Sequence, residues 1–300
     1  LGIIISFSNN GMKISLPFSR LFLFSLLIPM FLGCDKFESD QTIPAYIHID
    51  SIFLTTDHST QGTASYNITD AWVYVDGTFI GAFELPATFP VLKEGTHELS
   101  IYAGVKKNGI GATRTAYPFF KPFTKDVVLI PDSILSFSPS VRYYDNTEFT
   151  WIEDFEDIAV SIDSTRNSKV SVKLTPPGPV FEGLHSGMIT LTDSLNFFEI
   201  ANKDGLILTR NKPVFLELNF NTEQAFTIGI FAQSLSSVQQ HPVMVVNKTN
   251  GVWKKIYVDL SLAVASFPTA LEYKVFFGGF KDDGTSEAKI YFDNIKLVTR

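Results

Sequence analysis

The chain has 300 residues, 45% of them hydrophobic and 14% aromatic, and a formal charge of −7. That length accommodates one large domain or two modest ones, with a core that needs neither metal nor disulfide. The mild acidity and the absence of any Lys/Arg-rich run argue against a nucleic-acid partner. A single cysteine, Cys34, excludes an internal disulfide, a CxxC redox pair and a Cys-rich zinc site.

The first element is the apolar stretch "RLFLFSLLIPMFLGCDKFESD", Arg20 to Asp40. Lys13 and Arg20 lie near its start and small Gly33 precedes Cys34, the order of the basic, apolar and cleavage regions of a secretory signal. Three readings stand: a cleaved signal, an uncleaved membrane anchor and a buried core helix. Pro29, and an apolar run after Arg20 shorter than the roughly 20 residues of a membrane span, weigh against the anchor. "FLGC", Phe31 to Cys34, resembles the bacterial lipobox, with Phe31 where that motif usually carries leucine. The resemblance implies cleavage before Cys34, acylation of Cys34 with fatty acid such as palmitate, and attachment to the outer membrane through it. Met12 is the expected initiator, so the signal is expected over 12–33. Removing Lys13 and Arg20 with it takes the basic count from 24 to 22 against 31 acidic residues, a net of −9.

The polar segment after Cys34, "DKFESDQTIPA", suits a tether over 34–44. Its early acids resemble the surface-export signals of Bacteroidota lipoproteins, with Phe37 between Lys36 and Glu38. The expected location is the cell envelope, with the periplasmic or outward face left open.

From Ala45 the pattern is that of strands: "AYIHIDSIFL", "DAWVYVDG" and "HELSIYAGV" are rich in β-branched and aromatic residues and are bounded by Gly, Asp and Asn. Asp76-Gly77 predicts a primed hairpin turn. The stretch "VYVDGTFIGAFELPATFPVLKEGTHELSIYA" resembles the small β-sandwich repeat called PEGA, with Asp76, Gly77, Gly81, Pro86, Gly95 and His97 at its marks. The resemblance implies an accessory module without chemistry of its own over 45–139, in which His97 serves as a hydrogen-bonding residue at a strand start. The Pro-interrupted runs between Tyr117 and Asp145 read as edge strands and an interdomain crossing near residue 140.

Short strands at regular spacing then continue to the C-terminus and predict a two-sheet sandwich. In "VFLELNF", Phe215, Glu217 and Asn219 take one face and Leu216, Leu218 and Phe220 the other. In "KIYFDNIKLV", Ile290, Phe292, Asn294 and Lys296 alternate against Tyr291, Asp293, Ile295 and Leu297. "SLAVASFPTALE" predicts one helical turn stopped by Pro268. The order of "DFED", "FLELNF", "FTIGIF", "GVWKKIYVDLS" and "YFDNIKLV" resembles the galactose-binding-like jelly rolls found as carbohydrate-binding modules. The expected fold class is therefore all-β, a small N-terminal β-sandwich followed by a larger β-sandwich jelly roll over 140–300.

That second resemblance also implies a structural calcium held by Glu156 and Asp293, oxygen ligands of the kind calcium takes; the alternative is a solvated acidic edge. A glycosidase pair would need Glu153 or Glu156 opposite an acid such as Glu199 or Glu217, and the alternating acid signature of jelly-roll glucanases is absent. The five histidines show no metal-site spacing, "GLHSG" is not a nucleophile elbow, and "GIGATR" reads as a hairpin loop rather than a phosphate loop. The aromatics Trp151, Trp253, Tyr143 and Tyr144, with Asn247 or Lys254 as polar partners, are the candidates for stacking on a sugar. The expected function is noncatalytic binding of a glycan or polysaccharide at the envelope. Alternatives are a structural or protein-interaction subunit of an envelope assembly, and a cryptic glycoside hydrolase.

Overall fold

A computed structural model of the protein describes residues 43–176 and 178–300. The expected signal peptide, Cys34 and the tether as far as residue 42 lie outside the described residues. Residues Pro44–Arg300 form one compact unit. The fold is all-β, built from several small sheets with two short helical turns, His58–Gln61 and Ser261–Ala265, among the described residues. The second turn stops short of Pro268, as expected from the missing N–H of proline.

Two apolar cores organise these sheets. The first is enclosed by a five-stranded sheet, in which Gly95–Lys106 pairs with Asp70–Val75 and Phe123–Leu129, and by two three-stranded sheets centred on Ala45–Ile49 and Ser140–Tyr143. Asp76 and Gly77 join the hairpin with φ of 51° and 72°, the left-handed pair that a primed turn requires. Asp76 accepts from Lys93 at 2.6 Å and from the Glu98 N–H at 3.0 Å, and its other contact is His97 at 2.7 Å. These contacts, Lys93 first, hold its carboxyl at about 2. His97 thus ties the turn to the strand start.

The second core lies between a six-stranded and a five-stranded sheet. The six-stranded sheet centres on Val214–Thr222 and the long closing strand Glu287–Thr299, with Lys254–Asp259 beside Val214–Thr222; the five-stranded sheet centres on Glu272–Phe280 and Phe226–Gln233. Every residue of Val214–Thr222 is buried. Leu216, Leu218 and Phe220 face the second core, whereas Phe215 belongs to the first, together with Tyr257 and Val298. The polar face of this sheet is therefore covered in part by the first set of sheets.

The closing strand departs from the predicted alternation. Asn294 has φ of 50°, and the ladder to Val214–Thr222 shifts register between Glu217, opposite Lys296, and Asn219, opposite Asp293. This one-residue bulge switches the phase of the strand. Ile290, Phe292, Ile295 and Leu297 all enter the second core, so Asn294 and Lys296 do not share a face with Ile290 and Phe292 as simple alternation predicts.

At the seam, Glu217 is 0% exposed. It accepts from the hydroxyls of Tyr117 at 2.7 Å and Tyr143 at 2.8 Å, and Lys255 Nζ lies 3.1 Å from its other oxygen. Burial alone would push this carboxyl up; Lys255 and Lys296, with the two hydroxyls, outweigh it and hold the carboxyl below its ordinary value. Burial, then Glu217, pushes both tyrosines well above 10.0 and keeps them as donors. Lys296, 1% exposed, donates to the Thr63 carbonyl at 2.5 Å and lies over the rings of Tyr143 and Phe149.

Removing one partner of a buried ion pair strands the other charge, so Glu217→Ala is expected to cost about 3–5 kcal/mol in denaturant titrations. Desolvation, only partly offset by Glu217, lowers Lys296 to about 7 from 10.5. The unfolded chain thus binds a proton that the folded chain gives up in that window, and stability rises with pH across it. Melting curves of Lys296→Met are expected to lose this rise.

Candidate functional site

The polar row that begins at Glu217 continues beyond the seam. Two residues along the same face, Asn219 stands between Lys255 on one neighbouring strand and Asp293 on the other, and Asn221 follows opposite Tyr291. Here the covering sheets end, and Asn219 and Lys255 line a groove of about 830 Å³. Its walls come from Tyr66 and Asn67, from the hairpin at Asn108–Ile110, from Val243–Lys248, and from Phe181 and Trp253.

Each wall is tied down. The Asn67 N–H donates to the Tyr257 hydroxyl and its side-chain amide to the Lys255 carbonyl, both at 3.1 Å. The Asn108 N–H donates to the Tyr257 carbonyl at 2.8 Å, and Asn108 Oδ1 accepts from the Asp259 N–H at 2.8 Å. Asn108 and Gly109 turn the hairpin with φ of 56° and 67°, so "GIGATR" belongs to a groove-wall hairpin. The Phe181 wall hangs on acids: Asp293 Oδ2 accepts from Ser186 Oγ at 2.6 Å and from the N–H groups of Phe181 and Glu182 at 3.3 Å. Glu182 in turn accepts from Asn294 at 3.0 Å and from the Thr63 hydroxyl. The Phe181 ring meets Trp253 edge-on at 5.6 Å, and Tyr291 lies 6.4 Å from the indole.

Buried polar atoms in a folded chain normally find partners, and each one left without costs about 1–3 kcal/mol. Asn219 Oδ1 and Trp253 Nε1 are buried and have no protein partner. Lys255 Nζ has only the ion contact with Glu217, with no directed hydrogen bond. One acceptor, two donors and an aromatic face therefore converge on a single groove.

Of the residues singled out in the sequence, Trp253, Asn247 and Lys254 line this groove. Trp151 does not: it is 7% exposed, part of the second core, and its indole N–H donates to Ser161 Oγ at 2.8 Å. Tyr143 is 1% exposed and spends its hydroxyl on Glu217. Tyr144 is half-buried under the Arg300 guanidinium, 4.0 Å from its ring centre. A β core consumes most aromatics, and the seam consumed Tyr143. Asn219, Lys255, Tyr66 and Phe181 were missed. Asn219 carried one signal, a polar residue in the middle of an apolar strand; Lys255, second in a strand that opens with two lysines, carried none.

The acids considered for hydrolysis do not face one another across the groove, whose lining contains neither Asp nor Glu. Glu153 accepts from the Phe155 N–H at 2.8 Å and from Ser161 Oγ at 2.7 Å. Glu199 is held by Thr165 at 2.6 Å and Gln240 at 2.7 Å, and Glu217 is sealed in the seam.

Glu156 and Asp293 both reach the loop between Phe181 and Ser186. Both oxygens of Glu156 face the N–H of Leu184, at 2.9 and 3.1 Å, and one also faces that of His185 at 3.0 Å. Only Asp293 Oδ1 lacks a partner. Among the described residues no group of three or more His, Cys, Asp or Glu is placed to share a metal ion. Calcium takes 6–8 oxygens; three of the pair's four carboxylate oxygens face N–H or O–H groups, and the pair as it stands offers one free oxygen. It fits a hydrogen-bonded clamp on the Phe181 wall.

Comparison with known proteins gives likenesses of low identity. No family model matches the sequence, and no curated protein matches it. Among solved structures, the chain is similar to a xylan-binding domain from carbohydrate-binding-module family 22, at 13% identity over 52% of this chain and 97% of that one, with a TM-score of 0.36. It is similar to the K3 adhesin domain of Lys-gingipain from Porphyromonas gingivalis, at 16% identity over 51% and 99%, with a TM-score of 0.36. A family 61 module in complex with β-1,4-galactotriose follows at 12% identity over 46% and 87%, with a TM-score of 0.30. These values assign no function. Among the described residues no helix is long and apolar enough to cross a membrane.

Desolvation raises Asp293 to about 6 from 3.8, against the opposing Ser186 hydroxyl and backbone N–H groups. A folded-state value above the unfolded one means that stability falls as pH rises through that window, by about 3 kcal/mol in all. The difference in unfolding free energy between the parent and Asp293→Asn is expected to change across pH 3.8 to about 6 and to be constant above it. Melting temperatures in calcium and in chelator are expected to coincide.

Proposed function

We propose that this chain is a noncatalytic binding protein that takes a glycan in the groove beside Trp253. The observation that carries the reading is the convergence of Asn219 Oδ1, Trp253 Nε1 and Lys255 Nζ, none with a directed protein hydrogen bond, beside the half-buried Trp253 indole and the exposed Phe181 ring. Sugar hydroxyls are both donors and acceptors, and the C–H face of a sugar ring packs on a flat aromatic ring, so a saccharide bound here supplies the kinds of partner these atoms lack while covering the indole. Catalysis is not part of the proposal, because hydrolysis of a glycosidic bond needs a carboxylate pair flanking it and the lining has no acid.

The architecture that goes with this reading is a PEGA-like sandwich over 45–139 set on a jelly roll over 140–300. The placement that goes with it is the cell envelope, with lipid on Cys34 confining the groove to a surface and raising its effective concentration near polysaccharide. The sequence order of basic residues, apolar run and Cys34 supports that placement.

A glycan array probed with the purified protein is expected to show binding that Trp253→Ala weakens about tenfold or more, about 1.4 kcal/mol, with the melting temperature retained. An array without a single bound glycan would overturn the reading. Labelled palmitate is expected to enter the parent and not Cys34→Ser.

A further inference from the structure

The charge of the groove is opposite to that of the chain. Lys106, Lys248, Lys254 and Lys255 line it and no Asp or Glu does, in a protein of net charge −7. Three of these lysines have an acid nearby: Glu84 lies 3.6 Å from Lys106, Asp282 2.6 Å from Lys248, and Glu217 3.1 Å from Lys255. None of those acids lines the groove. Lys254 is exposed and joins no ion pair among the described residues. It opens the strand Lys254–Asp259, directly after Trp253 and directly before Lys255.

Exposed cations of this kind attract anions with a strength that salt screens, and a concave wall of one sign focuses the attraction. A second, independent observation points to a ligand at the same place: Asn219 is 1% exposed and its Oδ1 has no protein partner, and Trp253 Nε1 is buried without one. The groove is thus both polar-unsatisfied and positive.

We infer that the ligand is an anionic glycan, a saccharide bearing uronate carboxylates or sulfate esters, whose charge is met by Lys254 while its ring covers Trp253 and its hydroxyls reach Asn219. This inference rests on the glycan reading and narrows it to a substrate class. Carboxylate and sulfate share the chemistry that a lysine recognises, and Lys, a rotatable point charge, does not impose the two-pronged geometry that arginine would.

The test is calorimetric titration of the whole protein with three probes: an oligogalacturonide, the same oligomer with its carboxyls reduced to alcohols, and a sulfated oligosaccharide of similar length. At least one charged probe is expected to bind about tenfold or more tightly than the reduced one, and the better charged probe identifies the group. That advantage is expected to shrink in Lys254→Gln and as ionic strength rises from about 0.05 M to about 0.5 M, while Trp253→Ala weakens charged and neutral probes alike. Equal, salt-independent binding of charged and reduced oligomers would overturn the anionic class and leave the glycan reading standing. If no saccharide, charged or neutral, is bound here or on a broad array, both fall.

Discussion

A carboxylate with no access to water must be compensated where it stands, and Glu217 is the point on which this molecule turns. Its two oxygens are met by Lys255 from the adjacent strand and by Tyr117 and Tyr143 from the first set of sheets. Unpaired, such a charge would cost several kcal/mol. The tyrosines can reach it only if the first core is seated on the polar face of the six-stranded sheet, where Phe215, Tyr257 and Val298 complete that core. Apolar contact supplies the bulk of the adhesion and the buried charge fixes where it happens.

The same seating creates the groove. Glu217 and Asn219 lie on one face of one strand, two residues apart, yet the first has two hydroxyls and an ammonium on its carboxylate whereas the amide oxygen of the second has no protein partner. The difference is the edge of the covering sheets. Where they end, Asn67 and Asn108 fasten their last loops to the Lys254–Asp259 strand. From the other side Asp293 and Glu156 clamp the Phe181 loop. A wall held by amide hydrogens on carboxylates is ordered before a ligand arrives, so binding there does not bear the cost of ordering it.

Much of this was legible in the sequence, and the failures have physical reasons. The hairpin turn at Asp76 and Gly77 followed from two residues that tolerate positive φ, and the helical turn at Ser261 from the proline beyond it. Trp253, Asn247 and Lys254 were readable as an aromatic with polar neighbours. Trp151 and Tyr143 looked the same locally; what separates them is tertiary, since Trp151 packs between sheets and Tyr143 points into the seam. The burial of Glu217 was hidden for the same reason, because alternation tells which residues share a face and not what covers it. Of the pair expected to hold calcium, Glu156 has the amide hydrogens of Leu184 and His185 on its oxygens, contacts set by a loop that strand alternation does not describe.

The bulge at Asn294 has a consequence for errors of assembly. Strand pairs with uninterrupted alternation can slide by two residues and still keep apolar side chains inward. In the closing strand the apolar phase changes partway along, so Ile290 and Phe292 on one side of the break and Ile295 and Leu297 on the other fit the core in a single alignment. Any slide would push Asp293 or Lys296 into hydrocarbon. One asparagine in a left-handed conformation thereby acts as a notch, indexing the sealed end of the sheet to its open end.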